Sequence, residues 1–243
     1  LNRNKENSLS LADVSVGYNK PLLKNISARF GVGITGIIGN NGKGKTTFLK
    51  CLGGLLDPLA GSVRWNDTDI FGLSNASRSR LVSFNFSSNP VSFPVSVREL
   101  VSMGRYPYIN HWAGLSTEDE KIIDLSLEIS GISAFSKRMV NALSDGERQK
   151  AFIAKSIAQQ TGLMLFDEPT AFLDFTSKKK YFALMRELAV EHQKVILISS
   201  HDIDFLTSYA DHLLMIEEDE SVVYGPTPEV CASDYFKTHF TKL

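Results

Sequence analysis

Cysteine is scarce: Cys51 and Cys231 are the only two in 243 residues. They form no C-x-x-C pair and no framework. That sets aside a disulfide scaffold or a structural zinc site and points to reduced thiols of a cytosolic chain. Long apolar runs are missing as well. None approaches the roughly 20 residues that cross a bilayer. The start, Leu1 to Asn7, is polar, carries no signal-peptide pattern and reads as a frayed end. Excess charge of either sign is absent, with 26 Lys and Arg against 27 Asp and Glu, a net charge of −1. No basic footprint for DNA or RNA results, so no nucleic-acid partner is expected. There is no internal repeat and no low-complexity linker. What remains is 43% hydrophobic and 22% charged, an ordinary composition in a chain long enough for one sizeable domain.

Strand and helix patterns alternate along it. Residues 8–18 alternate apolar and polar side chains, as a half-buried antiparallel strand does, and 21–30 read as the return strand. Residues 33–39 form a short buried strand and 45–56 a helix. A strand with a turn at Asn66–Asp67 spans 61–71, and another spans 80–86. The stretch 97–132 then reads as helix, aromatic loop and helix. Strands resume at 162–169 and 194–200, separated by helices. The expectation is an α/β core, 1–86 with 161–243, interrupted by a mostly helical insertion at about 87–160.

Three motifs carry chemistry. The spacing G-x-x-x-x-G-K-T runs from Gly39 to Thr46, between a predicted strand and a predicted helix. That context makes it a phosphate cradle. Gly39, Gly42 and Gly44 let the backbone of Asn40, Asn41 and Lys43 turn its amides inward, and the helix start at Lys45, Thr46 and Thr47 adds positive dipole. Lys45 can reach the terminal phosphates and Thr46 can ligate Mg²⁺. The second motif, residues 163–169, ends a strand in Asp167 and Glu168, at the edge where such sheets bind ligands. Asp167 suits Mg²⁺ and Glu168 suits polarising a water. The third, LSDGERQK over 143–150, opens an amphipathic helix. Ser144 or Asp145 with Glu147 makes a good N-cap, which explains the polar residues but not their order.

Together with three motifs nearer the C-terminus and one aromatic near the start, that order resembles the signature of ATP-binding cassette (ABC) proteins. AFLD at 171–174 is similar to the family's D-loop, His201 ends a strand at its switch-histidine position, and Tyr18 falls where the family stacks an aromatic ring on adenine. GPTPEV at 225–230 resembles a turn near the end of transporter cassettes. The resemblance spans essentially the whole chain. It implies a P-loop NTPase core of ABC ATPase type, with an N-terminal antiparallel β part and a helical insertion carrying the signature. It also implies ATP held between two copies paired head to tail. Ser144, Gly146 and Glu147 of one copy would then face ATP bound mainly by the other. Asp174 would cross the interface, and Glu168 and His201 would act on the attacking water.

The insertion refines this. The run from Ser96 through Glu99, Gly104, Arg105 and Pro107 to Ser116 and Asp119 resembles importers of iron–siderophores, haem and cobalamin. That implies permease subunits in the membrane, the cytoplasmic membrane face as location, and an extracytoplasmic binding protein that delivers substrate. Among Tyr106, Tyr108, Ile109 and Trp112, an exposed subset would suit a permease helix. Two departures stand out. No glutamine occurs between 61 and 140, so the family's Q-loop glutamine is missing. Its place lies around Phe86–Ser88, where Asn85 or a serine is the available polar group. Asp145 stands where glycine is usual and is expected to point outward or cap the helix. Two alternatives stay open: a soluble cassette of DNA repair or translation, and a nucleotide-gated module with weak hydrolysis.

Overall fold

The alternating run near the start becomes β1 (Leu9–Gly17), paired antiparallel with β2 (Pro21–Phe30). The structure, a computed structural model, describes residues 7–86, 94–109 and 114–240. The chain continues through β3 (Gly33–Gly39), α1 (Lys45–Leu52), β4 (Ala60–Trp65), β5 (Thr68–Asp69), α2 (Asn75–Ser79) and β6 (Val82–Asn85). Three helices of the insertion come next: α3 (Val97–Ser102), α4 (Thr117–Ile129) and α5 (Asp145–Ala158). Then come β7 (Leu163–Asp167), α6 (Phe175–Glu191), β8 (Val195–Ser199), α7 (Ile203–Tyr209), β9 (His212–Ile216), β10 (Val222–Pro226), α8 (Thr227–Ala232) and α9 (Asp234–His239).

Two sheets result, one antiparallel in the order β2-β1-β4-β5 and one six-stranded in the order β10-β9-β3-β8-β7-β6. In the second sheet only β10 runs antiparallel to its neighbour. Successive side chains of a strand point to opposite faces. Ile37, Leu165, Leu197 and Leu214 therefore share one core with Phe48 and Leu52 of α1 and with Val14 and Phe30 of the antiparallel sheet. Ile38, Phe166, Ile198 and Met215 share the other with Phe182 and Met185 of α6. Each fully buried side chain of this size contributes roughly 1.5–3 kcal/mol. Helix α1 is thus clamped between the two sheets.

The structure corrects the sequence reading at three places. Helix α1 stops at Leu52, because the chain folds back at Gly53 and Gly54 and the Leu55 amide caps the Lys50 carbonyl at 2.8 Å. Strands β9 and β10 lie outside the sequence expectation: the first is a continuous apolar run with no alternation, and the second is a half-exposed edge. GPTPEV is the end of β10 and the first turn of α8 rather than a free turn.

Helices α3, α4 and α5 pack a third core of their own, built on Val97, Leu100, Ile123, Leu127, Phe152 and Ala154. Ile153, one position along α5, instead joins the core of the parallel sheet. One helix is therefore shared by both bodies. Between α3 and α4 a 3₁₀ turn, Met103–Tyr108, lies against α5. A Cβ on Gly104 would sit 2.4 Å from the Lys155 carbonyl oxygen, so only glycine admits this approach. It delivers Arg105, 5% exposed, onto α5 and α4. The guanidinium donates to Asp119 Oδ1 at 2.8 Å, to the Ala158 carbonyl at 2.7 Å and to Gln160 Oε1 at 2.9 Å, and covers the Tyr108 ring at 4.1 Å. Asp119 also closes the capping box of α4 with Ser116. The GRxP and SxxD motifs are thus the two sides of one buried ion pair.

The bonds from Ser116 and Arg105 hold the Asp119 carboxyl down at about 2, against an ordinary 3.8. A depressed carboxylate stabilises the fold above its unfolded value, and that contribution is lost as pH falls toward the folded one. Stability should therefore drop between pH 3.8 and about 2. Asp119→Asn should lack that part of the acid limb. Asp119→Ala, which strands Arg105, should cost about 3 kcal/mol in urea unfolding. An unchanged midpoint would remove the pair from any structural role.

Candidate nucleotide site

The C-terminal ends of β3, β7 and β8 lie side by side, with Ile37 opposite Ser199 and Asp167 opposite Ser199. The loop after β3 leaves Asn40, Asn41 and Gly42 at this edge, the two asparagines exposed. It enters α1 through Gly44, whose φ of 93° is the left-handed conformation that costs glycine least. No side chain caps α1, so its first amides stay available to an anion. Lys45 bends back over the loop. Its ammonium donates to the Gly39 carbonyl at 2.7 Å and lies 3.9 Å from Glu168 Oε1. Burial pushes Lys45 below its ordinary value, while Glu168 and Asp167 oppose that shift and favour the cation. Lys43 donates to the Glu218 carbonyl at 2.6 Å, pinning the loop to the β9–β10 turn, and Thr47 is buried under the helix.

Asp167 is 3% exposed and fully engaged. Thr46 Oγ1 donates to its Oδ2 and Ser199 Oγ to its Oδ1, each at 2.8 Å. Thr46 and Asp167 so place two hard oxygen ligands together, the donor set Mg²⁺ accepts alongside phosphate and water. Glu168 comes next with φ of 48°, a strained value for a non-glycine residue. Its amide holds that pose by donating to the Ser199 carbonyl at 3.1 Å and to Ser199 Oγ at 3.0 Å. The carboxylate lies 3.2 Å from His201 Nε2 and accepts from the His201 amide at 3.2 Å. Burial raises its pKa above the ordinary range, against the pull of His201 and then Lys45. Ser199 thus bridges both acids, a role its place in SSHD did not announce. A second bridge, also unforeseen, ties Thr170 and Lys178 to the two oxygens of Asp202 at 2.6 Å each.

The remaining predicted residues lie elsewhere. Tyr18 projects from the β1–β2 hairpin, 60% exposed, and Leu22 of that hairpin borders Gly44. Ser144 caps α5 in a box with Glu147: the Ser144 amide and hydroxyl both donate to Glu147 Oε2 at 2.8 Å. Those bonds hold Glu147 below the usual carboxylate range. Asp145 pairs with Arg148 one turn on and takes no part in the capping box. Gly146 borders Leu173. Asp174 caps α6 by accepting from the Ser177 amide at 2.7 Å, which lowers its pKa. The structure therefore gathers Lys45, Thr46, Asp167, Glu168 and His201 into one cluster. No hydrogen bond or ion pair among the described residues joins them to Ser144, Gly146 or Glu147. Asn85 ends β6 beside Phe166, while Ser87, Ser88 and Trp112 lie outside the described residues.

The ABC transporter family model matches residues 23–171. The achromobactin transport ATP-binding protein CbrD of Dickeya dadantii (strain 3937) is 34% identical over 235 residues, 96% of this chain and 87% of that protein. The chain belongs to the ABC transporter family. It is similar also to the iron(3+)-hydroxamate import ATP-binding protein FhuC of Bacillus subtilis (strain 168), 32% identical over 96% of this chain and 88% of that one. A solved metal-chelate type ABC transporter in an inward-facing conformation shares the fold. Its TM-score is 0.85 at 24% identity, over 97% of this chain and 89% of that one. As an ABC cassette the chain binds and hydrolyses ATP. Among the described residues no helix is long and apolar enough to cross a membrane.

In this cassette Ser199→Ala removes a donor to Asp167 and leaves the Glu168 amide with one acceptor fewer. Unfolding by urea should show a loss of about 1–3 kcal/mol. ATPase activity should fall with little change in ATP affinity. A variant with wild-type stability and rate would show that Ser199 does not position the acids.

Proposed function

We propose that the chain is the ATP-hydrolysing, energy-coupling subunit of an importer for metal chelates of the iron–siderophore, haem or cobalamin type. It would work as a head-to-tail dimer on two permease subunits at the cytoplasmic face of the membrane, with an extracytoplasmic binding protein delivering the cargo. The observation that carries this reading is the divided site. Phosphate loop, acids and histidine meet in one cluster, whereas the capped N-terminal turn of α5 is joined to none of them by a hydrogen bond or ion pair among the described residues. A second copy supplies the nucleotide for that turn. Ser144, Gly146 and Glu147 would then address the γ-phosphate of ATP held by the partner, with the anion lying at a helix N-terminus. Asp174 would meet the partner through the turn it caps, and Tyr18 would stack on adenine. We read about 87–160 as the helical unit that moves against 1–86 and 161–243. Tyr106, 62% exposed beside the Arg105 pair, offers the permease an aromatic contact. The names of CbrD and FhuC support the cargo class.

The chemistry derives from the cluster. Thr46 and Asp167 would hold Mg²⁺, which supplies charge neutralisation on the phosphates. Lys45 would leave its carbonyl partners for the β- and γ-phosphates. Glu168 accepts a proton from water as the water oxygen bonds to the γ-phosphorus and the bond to ADP breaks. His201 orients that water and holds the carboxylate in place. The raised pKa of Glu168 makes it a stronger base, and as the base it must be ionised. Activity should therefore fall on the acid side at a higher pH than an ordinary carboxylate would give.

Glu168→Gln tests this. Hydrolysis should drop at least 10²-fold, ATP should stay bound, and closed dimers should accumulate in sedimentation. The acid limb of the pH–rate profile should vanish with it. A parent protein no more active than this variant would remove Glu168 from the reaction.

A further inference from the structure

Helix α7 begins without the cap its sequence offers. Asp202 occupies the N-cap position, with φ of −82° and ψ of 70°, yet its side chain accepts nothing from the α7 amides. An aspartate there ordinarily caps, because the first amides of a helix have no partner within it. Here both carboxylate oxygens are committed elsewhere. Oδ2 accepts from the Thr170 hydroxyl and Oδ1 from the Lys178 ammonium, each at 2.6 Å. The Lys178 and Asp202 side chains are 19% and 22% exposed, and Thr170 is fully buried. Solvent and salt screen such a pair much less than one on the open surface.

The residues so joined flank the reacting groups. Thr170 lies two positions after Glu168, and Asp202 directly follows His201. Ser200 closes the ring: its hydroxyl accepts from the Asp202 amide at 3.0 Å and lies 3.2 Å from the Thr170 hydroxyl. The imidazole has little of its own to hold it. It is half exposed, and Glu168 is its one ionic partner among the described residues. Its aim at Glu168 is therefore inherited from the backbone of 200–202. Lys178 reaches that backbone from the first turn of α6, where its own amide donates to the Asp174 carbonyl at 2.9 Å. Among the described residues no other cation pairs with Asp202.

We propose that Lys178 is a positioning residue for ATP hydrolysis: by drawing the Asp202 carboxylate away from the α7 cap, it fixes the backbone that aims His201 at Glu168. Without the ammonium, the uncapped amides of α7 compete for the freed oxygen. Asp202 turning toward them rotates the backbone at 201–202 and takes the imidazole off Glu168. Lys178 itself makes no hydrogen bond or ion pair with Glu168 or His201 among the described residues. The inference rests on the reading of Glu168 as the base and His201 as its companion.

Steady-state ATP hydrolysis by the full chain, with Lys178→Met and Lys178→Arg, tests it. Methionine keeps an unbranched stem and loses the charge. It should lower kcat about tenfold and leave KM for ATP within about twofold, because the phosphate loop is untouched. His201 draws the Glu168 carboxyl down, so a displaced imidazole lets it rise, and the acid limb of the pH–rate profile should move to higher pH. Lys178→Arg restores a cation and donor, and should keep rate and limb close to the parent. A Lys178→Met chain with the parent's kcat, one slowed with its acid limb unmoved, or an arginine variant as defective as the methionine one would each overturn the proposal. Glu168→Gln in the same assay separates the two failures. At the parent's rate it removes Glu168 as the base, whereas an inactive Glu168→Gln beside an unaffected Lys178→Met removes only the role of Lys178.

Discussion

A carboxylate at the buried end of β7 is the constraint around which the site is built. Asp167 is almost wholly removed from water, and an isolated charge there would be prohibitively expensive. It is tolerable because Thr46 and Ser199 each donate to one of its oxygens. Those donors come from α1 and β8, so the charge can be satisfied only when three elements, distant in sequence, are correctly assembled. Lys45 and Glu168 extend the same dependence, since each sits near the other and neither is well solvated. Parallel pairing of β3, β8 and β7 makes the arrangement possible, because it brings their C-terminal ends to one edge.

The helical layer answers to a different charge. Arg105 is buried against Asp119 and the Ala158 carbonyl of α5, and this pair fixes the 3₁₀ turn and α4 onto α5. Helix α5 in turn gives Ile153 to the sheet core and Phe152 to the helical core. The signature turn at its start is therefore positioned by both bodies at once. Any motion of one on the other must carry Ser144 with it. A helix so placed suits a device in which nucleotide state and a membrane contact have to report to each other.

Much of this was legible in the sequence, for identifiable reasons. The phosphate loop was readable because its glycines and Lys-Thr pair are demanded locally by backbone and phosphate geometry. Strands β1 to β3 and β7 to β8 were readable from alternation or from short apolar runs bounded by turns. Strand β9 was not, because HLLMI has no period that separates a buried strand from a helix. The Arg105–Asp119 pair was visible as two motif fragments whose contact depends on a chain reversal the sequence does not encode locally. Ser199 escaped notice because a serine at a strand end is ordinary until the register places it opposite Asp167. Asp145 was expected to point outward or cap the helix; it lies on the first turn with Arg148 and leaves the cap to Ser144.

The central claim is that one ATP site is assembled from two copies of the chain. Two disabled chains test it most directly: Lys45→Ala, without the phosphate loop's cation, and Ser144→Arg, with the signature turn blocked. Carrying different affinity tags, they can be co-expressed and the mixed dimer isolated through both tags, with the doubly tagged parent as reference. The account predicts ATP hydrolysis by the mixed dimer and none by either variant alone, because the mixed species retains one intact pairing of loop and signature. A mixed dimer as inactive as its components beside an active parent would contradict it. So would a Ser144→Arg chain that hydrolyses ATP unaided.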